Sequence, residues 1–249
     1  MKKHLVIIFI VFFLQSCEDN KVVYKPESSA RINSITVVVD NNSWNNTIGD
    51  KIRNLYADEY EGLPQIEERF TLKQMPYEAF SGFSRSSRNI IYINKTSKPE
   101  FFFEIDKYAR PQIYLEIKGN SIKSILEQID KSKKEAINKF TNSEIEENKR
   151  RILKSPLKDT SAMEDFLIDM KMPSAYSLYK QDQNFIWYQK QIQSGHSNII
   201  VTELASQKNI FDYNIPNLIK LRDSIGEIFL PGRNPESFMI SEKEYLPYQ

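Results

Sequence analysis

Four strand-like runs follow one another between residues 69 and 118, and no helical pattern separates them. The runs are residues 69–75, 89–94, 101–106 and 112–118. In the last run Ile113, Leu115 and Ile117 alternate with polar or aromatic residues, as in a strand with one buried face. A β-branched strand over 35–39 precedes these runs, and a helical pattern follows that strand. Consecutive strands favour an α+β fold over a doubly wound parallel sheet.

The hydrophobic period changes to 3.6 at Ser121, which predicts a long helix with a lysine-rich outer face. Ser143 and Glu146 match a capping box, so a second helix is expected to begin at Glu144. Another capping box at Ser161 predicts a helix that buries Met163, Phe166, Leu167 and Met170. A hairpin, a third strand and a helix capped by Asn214 are expected to follow.

These patterns predict two lobes of mostly antiparallel sheet with packed helices. The predicted regions are a signal peptide (1–16), a flexible tether (17–31), a first lobe (32–155) and a second lobe (156–249). Three strands and a helix leave part of the second sheet uncovered, so this lobe is expected to be incomplete.

The N-terminus has the pattern of an export signal. Lys2 and Lys3 precede ten apolar residues, which are too few to span a bilayer as a helix. Leu14-Gln15-Ser16-Cys17 resembles the bacterial lipobox, and Cys17 is the single cysteine of the chain. The resemblance implies that acyl chains such as palmitate on Cys17 anchor the protein in the cell envelope. The expected location is the outer membrane, at its periplasmic face or on the cell surface; the alternative is an ordinary signal peptide with an incidental cysteine.

Composition excludes several kinds of chemistry. The formal net charge of +1 gives no electrostatic reason to bind nucleic acid. One cysteine, two histidines and seven glycines leave little material for disulfides, histidine metal sites or phosphate-binding loops. We therefore predict no cofactor and no metal. The expected partners are the membrane, through the lipid, and an envelope protein or glycan.

Four residues are candidates for ligand binding. An arginine at a strand entrance can hold a carboxylate or phosphate through two parallel hydrogen bonds. The alternative is an arginine that satisfies backbone carbonyls and a surface acid. Trp187 belongs to an aromatic hairpin whose rings could stack on sugars or pack in the core. The candidates are Arg85, Arg88, Arg110 and Trp187.

Several strings along the chain resemble the Bacteroidota lipoprotein family catalogued as domain of unknown function 4837. The resemblance covers most of residues 32–245, and members continue with a segment that this chain lacks. The family implies a location and a related fold, but no catalytic residues. The strings are Ala79-Phe80-Ser81-Gly82, Arg88-Asn89-Ile90-Ile91, Ala109-Arg110-Pro111-Gln112, Asn184-Phe185-Ile186-Trp187, Leu221-Arg222-Asp223-Ser224, Pro231-Gly232 and Ser237-Phe238-Met239.

Two functions remain open at this point. The favoured one is a non-enzymatic, lipid-anchored envelope protein that acts by binding or assembly. The alternative is a hydrolase of an envelope glycan or peptide, in which carboxylates or His196 with Ser194 or Ser197 would act. His196 lies in a polar turn, and the chain has no nucleophile-elbow motif.

Overall fold

The computed structural model describes residues 24–60, 67–193, 195–204 and 214–242. Two sheets within these ranges, one of five strands and one of three, confirm the α+β class and the two lobes. The predicted signal peptide and Cys17 lie outside the described residues. Within those residues, no helix is both long and apolar enough to cross a membrane.

The first sheet has the spatial order β2-β1-β3-β5-β4. Its strands are β1 (Ser34–Val38), β2 (Thr71–Met75), β3 (Asn89–Lys95), β4 (Glu100–Ile105) and β5 (Ile113–Gly119). β1 runs parallel to β2 and β3, β3 runs parallel to β5, and β4 alone pairs in the antiparallel sense. The prediction of mostly antiparallel sheet is therefore wrong for this lobe, because neighbours along the chain do not always pair in space.

Helices cover one face of this sheet. They are α1 (Asn41–Trp44), α2 (Thr47–Tyr56) and α3 (Ile122–Lys154). The buried core between the layers contains Ile35, Val37, Ile48, Ile52, Ile91, Ile93, Leu115, Ile117, Ile125, Ile129 and Phe140. The helix predicted after the strand 35–39 is split in two, and Asp40 caps the first part by accepting a 2.9 Å hydrogen bond from the Ser43 amide. The predicted break at Ser143 does not occur, since α3 is one unbroken helix of 33 residues.

The opposite face of the first sheet carries a connecting segment. Residues 76–88 lead from β2 past β1 to β3 and contain two 3₁₀ turns, Tyr77–Ala79 and Gly82–Ser86. Gly82 has a φ of +51°, which a glycine adopts at little cost. This segment brings Tyr77 and Phe80 onto the sheet but leaves part of the face open to solvent.

The second lobe is an antiparallel sheet of order β6-β7-β8, as predicted for this lobe. Its elements are α4 (Ser161–Glu164), β6 (Ser177–Asp182), β7 (Phe185–Ile192), β8 (Gly195–Thr202) and α5 (Ile215–Phe229). Phe229 of α5 stacks on Phe185 with a centroid separation of 4.2 Å. α4 is a single turn, and Leu167 is 95 % exposed with a left-handed φ of 56°, so it is not the core residue that its spacing predicts.

The last part of the predicted tether is attached to the first lobe. The Ser28 amide donates to the Arg110 carbonyl at 3.0 Å, and the Ser29 amide donates to the Ser86 carbonyl at 2.8 Å. Arg151 holds the Ala30 carbonyl at 2.9 Å. Residues 28–30 therefore do not form a free linker, because their backbone groups pair with the lobe.

Candidate functional site

Three of the four predicted ligand-binding residues come together at one edge of the first sheet. Arg85 and Arg88 lie just before β3, and Arg110 lies in the turn before β5. Gln112 joins the two loops, since its side-chain amide donates to the carbonyls of Arg85 and Ser87 at 2.7 Å. Trp187 lies in the second lobe, so the structure does not unite all four.

Arg88 is buried and paired. Its guanidinium donates to both carboxylate oxygens of Glu144 in α3, at 2.8 and 2.9 Å, and to the Arg31 carbonyl at 3.0 Å. Its side chain is 0 % exposed. Glu144 also accepts from the Asn33 amide at 2.7 Å and from Asn89. Arg88 is therefore a structural residue and not the ligand-binding arginine that its place at a strand entrance predicts.

Glu147 extends this charged cluster along α3. It accepts hydrogen bonds from Arg150 at 2.7 and 3.0 Å and from Arg151 at 2.7 Å. The remaining nitrogen of the Arg88 guanidinium lies 3.7 Å from it. Arg150, followed by Arg151 and Arg88, lowers the pKa of Glu147 to about 2, although burial opposes the shift. Glu144 and Glu147 face the lobe together, and their ion pairs stabilise α3 as one continuous helix through this region.

An aromatic cluster lies on the sheet face that the helices leave free. We call it the tyrosine face, and it consists of Tyr77, Phe80, Tyr92, Tyr108 and Tyr114. Tyr92 is central, since its ring centroid lies 5.6 Å from that of Tyr77, 5.8 Å from Phe80 and 6.0 Å from Tyr114. Strand alternation explains the arrangement: Ile91 and Leu115 turn toward the helices, so Tyr92 and Tyr114 turn away.

Charged and amide side chains surround the tyrosine face. Lys107 Nζ lies 3.9 Å from the Tyr114 ring centroid and 2.6 Å from Glu104. Arg85 lies over the Tyr108 ring at 5.2 Å, and Asn94 donates to Glu116 at 2.8 Å. Cations over aromatic rings are attracted to the negative π faces. Arg85 is exposed, and its Nε donates a hydrogen bond to the Phe80 carbonyl at 3.2 Å, so its guanidinium is held beside these rings.

Burial raises the pKa values of three phenols of the tyrosine face, those of Tyr77, Tyr92 and Tyr114. Burial, together with nearby Asp40, raises the pKa of Tyr77 to about 12. Burial and then the Glu116 charge raise the pKa values of Tyr92 and Tyr114. Tyr77 donates its hydroxyl proton to the Ile93 carbonyl at 2.6 Å. Half-buried Tyr92 therefore presents a neutral ring beside donors and acceptors, an arrangement suited to binding a ligand with both apolar and hydroxylated surfaces.

Arg110 and Trp187 lie apart from this face. Arg110 is 79 % exposed and pairs with Asp106 at 3.4 Å. Trp187 lies against Tyr179 at 4.4 Å, and its indole N–H donates to Asn198 at 2.9 Å. Asn198 lines an apolar groove of about 560 Å³ between β8 and α5.

Two residues of the hydrolase hypothesis, His196 and Ser197, are described, and they do not hydrogen-bond to each other through their side chains. His196 is exposed on β8, and the Ser197 hydroxyl shares a 2.8 Å hydrogen bond with the Tyr176 hydroxyl. Ser194 lies outside the described residues. Among the residues that the structure describes, no group of three His, Cys, Asp or Glu side chains is placed to hold a metal ion.

The tyrosine face is the feature that sequence reasoning missed. Alternation in 112–118 already placed Tyr114, Glu116 and Lys118 on one side of a strand. The matching signal is Tyr92 between Ile91 and Ile93. Only the parallel pairing of β3 with β5 makes the two tyrosines neighbours.

Replacing Glu144 by alanine should destabilise the first lobe by about 3–5 kcal/mol, because the buried Arg88 guanidinium loses both hydrogen bonds to its carboxylate partner. The measurement is the free energy of urea unfolding. Glu146→Ala is the matched control: Glu146 pairs with Lys149 at 2.8 Å but is 70 % exposed, so its loss should cost less than about 0.5 kcal/mol. Arg88→Met with Glu144→Leu should recover most of the loss. Equal effects of the two alanine variants would contradict the assignment.

Acid should weaken the fold through Glu147. Its folded pKa of about 2 lies below the ordinary value of 4.5, so its contribution is complete above about pH 5 and disappears as the pH falls toward 2. The contribution is roughly 3 kcal/mol. In Glu147→Gln, the free energy of unfolding should be lower at neutral pH and should change less on acidification. Glu146→Gln should keep the full acid dependence; the same dependence in both variants would refute this role.

Comparison with known proteins divides the chain where α3 ends. Residues 28–153 match the model described as Domain of unknown function (DUF8532), and residues 155–249 match Domain of unknown function (DUF4837). No curated protein and no solved structure matches. The resemblance to DUF4837 is thus confirmed for the second half, whereas the strings before residue 153 lie in the other match. The DUF8532 model covers about half of the residues, so the chain belongs to the DUF8532 family, and its second half matches DUF4837.

Proposed function

We propose that this protein is a lipid-anchored component of a bacterial cell envelope, of the Bacteroidota type, that binds an envelope glycan without catalysing its breakdown. The anchor is an acylated Cys17 that follows a cleaved signal peptide. The location is the outer membrane, at its periplasmic face or on the cell surface. The sequence Leu14-Gln15-Ser16-Cys17, which has the pattern of a lipobox, supports the anchor.

The tyrosine face is the observation that supports binding of a glycan. Tyr92 is half-buried at the centre of five aromatic residues, and no residue of the described α-helices belongs to this cluster. Sugar rings have apolar C–H faces and hydroxyl edges, and an aromatic ring flanked by Lys107, Asn94 and Glu116 complements both.

The polar groups of this face serve binding more readily than hydrolysis. Glu116 accepts a hydrogen bond from Asn94 at 2.8 Å and lies 3.8 Å from Lys107. Lys107 also lies 2.6 Å from Glu104, so the carboxylates of this face already have polar partners of their own. Recognition therefore fits the geometry better than general acid catalysis.

Replacing Cys17 by serine should abolish acylation and processing and release the protein from the membrane fraction. The measurements are incorporation of a labelled palmitate analogue and fractionation of cells. Ser16→Ala keeps the cysteine and should remain lipidated. Normal processing and retention in the membrane fraction of the serine variant would refute the anchor.

Replacing Tyr92 by alanine should weaken binding of soluble glycan fragments from the envelope by about tenfold, because one stacking ring is lost. The measurement is titration calorimetry with purified protein, accompanied by the melting temperature. Tyr92→Phe should retain most of the affinity, and Tyr60→Ala, which alters a 45 % exposed ring elsewhere, should bind normally. Binding that survives Tyr92→Ala would refute the assigned face, and shortening of the polymer would refute the non-enzymatic role.

A further inference from the structure

Three segments of the chain converge at the edge of the first sheet where β1, β3 and β5 begin. They are residues 24–33, the 3₁₀ turn Gly82–Ser86, and the turn 106–112. Arg88 donates its amide proton to the Ser29 carbonyl at 3.0 Å, and Arg110 donates its amide proton to the Pro26 carbonyl at 2.9 Å. The Lys25 ammonium donates to the Asp106 carbonyl. We call this surface the entry edge, because the mature chain enters the fold there.

Exposed aromatic side chains lie on the entry edge. Phe83 is 81 % exposed in the turn that begins at Gly82, and Tyr24 is 83 % exposed. Single exposed apolar residues are common and mean little alone. At the entry edge they occur beside a concentration of positive charge, and aromatic rings beside cations are typical of the boundary between water and lipid headgroups.

Positive side chains outnumber negative ones in the three segments that form the entry edge. The cations are Lys25, Arg31, Arg85, Lys107 and Arg110, and the acids are Glu27 and Asp106. Lys107 is paired with Glu104 at 2.6 Å, which leaves four cations beside two acids. The acids Asp58, Glu59, Glu67 and Glu68 lie farther along the same end of the sheet, before β2.

The predicted lipid attachment point lies close to this edge along the chain. Cys17 precedes Tyr24 by about seven residues, which span at most about 25 Å when extended. Residues 28–30 are paired with the lobe, so the distance along the chain from Cys17 to the first lobe is short. An acylated Cys17 would hold the entry edge within this distance of the bilayer.

We propose that the entry edge docks on a surface of anionic phospholipid, with Phe83 and Tyr24 in the headgroup layer and Lys25 and Arg110 at the phosphates. This inference rests in part on the proposed lipidation of Cys17, which places the edge near lipid. The acyl chains provide the anchoring, and the entry edge fixes the orientation of the lobe. The charge, the exposed rings and the short tether all favour the same partner.

The test uses the non-acylated chain that begins at Glu18, which keeps every described residue, so its outcome does not depend on lipidation or on a glycan. The probes are phosphatidylcholine vesicles with and without phosphatidylglycerol, measured by co-sedimentation. Binding should require phosphatidylglycerol and weaken as salt is raised. Lys25→Gln with Arg110→Gln should reduce binding about fivefold for each cation removed. Lys131→Gln with Lys134→Gln, on the exposed side of α3, is the matched control and should bind normally.

The variant Phe83→Trp reports insertion directly. Its tryptophan emission should shift to shorter wavelength when phosphatidylglycerol vesicles are present, whereas the emission of the residue introduced by Ile122→Trp should not shift. Ile122 is 57 % exposed at the start of α3, remote from the entry edge. Binding only to neutral vesicles, equal losses in the two double variants, or equal spectral shifts at 83 and 122 would each overturn the proposal. Tyr92 and Arg85 are unchanged throughout, so a failure here leaves the glycan assignment intact.

Discussion

The buried pair between Arg88 and Glu144 holds the first lobe together at the point where its layers meet. Arg88 comes from the strand entrance of β3, Glu144 from the middle of α3, and the Arg31 carbonyl and Asn33 amide from the chain that leads into β1. A buried charge is costly unless an opposite charge and hydrogen bonds compensate for its lost hydration. Each of these segments is therefore fixed with reference to the others, and the position of the entry edge follows from the same contact.

The two faces of the first sheet differ because alternate residues of each strand meet different neighbours. Ile91, Ile93 and Leu115 pack under helices, and hydrophobic burial fixes their positions. Tyr92, Tyr114 and Glu116 meet a short connecting segment, which covers them only in part. The helical face stabilises the sheet, and the tyrosine face stays partly exposed. The entry edge lies at the end of the strands and meets the tyrosine face where Arg85 lies over the Tyr108 ring.

The strands of the first lobe could be placed from the sequence within one or two residues, because alternation is a local property. The run 112–118 corresponds to β5, Ile113–Gly119. Helix limits were less predictable where a local signal conflicted with long-range contact. Ser143 and Glu146 have the pattern of a helix start, but α3 continues because Glu144 and Glu147 bind arginines from other segments or from the next turn. At Leu167 the helical spacing is present, but the chain turns at a left-handed residue.

The sequence by itself determined the α+β class, the two lobes and the order of strands along the chain. It also singled out the arginines at positions 85, 88 and 110 as candidates for ligand binding. Tertiary structure decided that β5 pairs with β3 in the parallel sense, which makes Tyr92 and Tyr114 neighbours. It also decided that Arg88 is buried whereas Arg85 and Arg110 stay exposed. The physical reason is that side-chain periodicity depends on adjacent residues, while strand partners and the burial of a charge depend on segments that meet only in the folded chain.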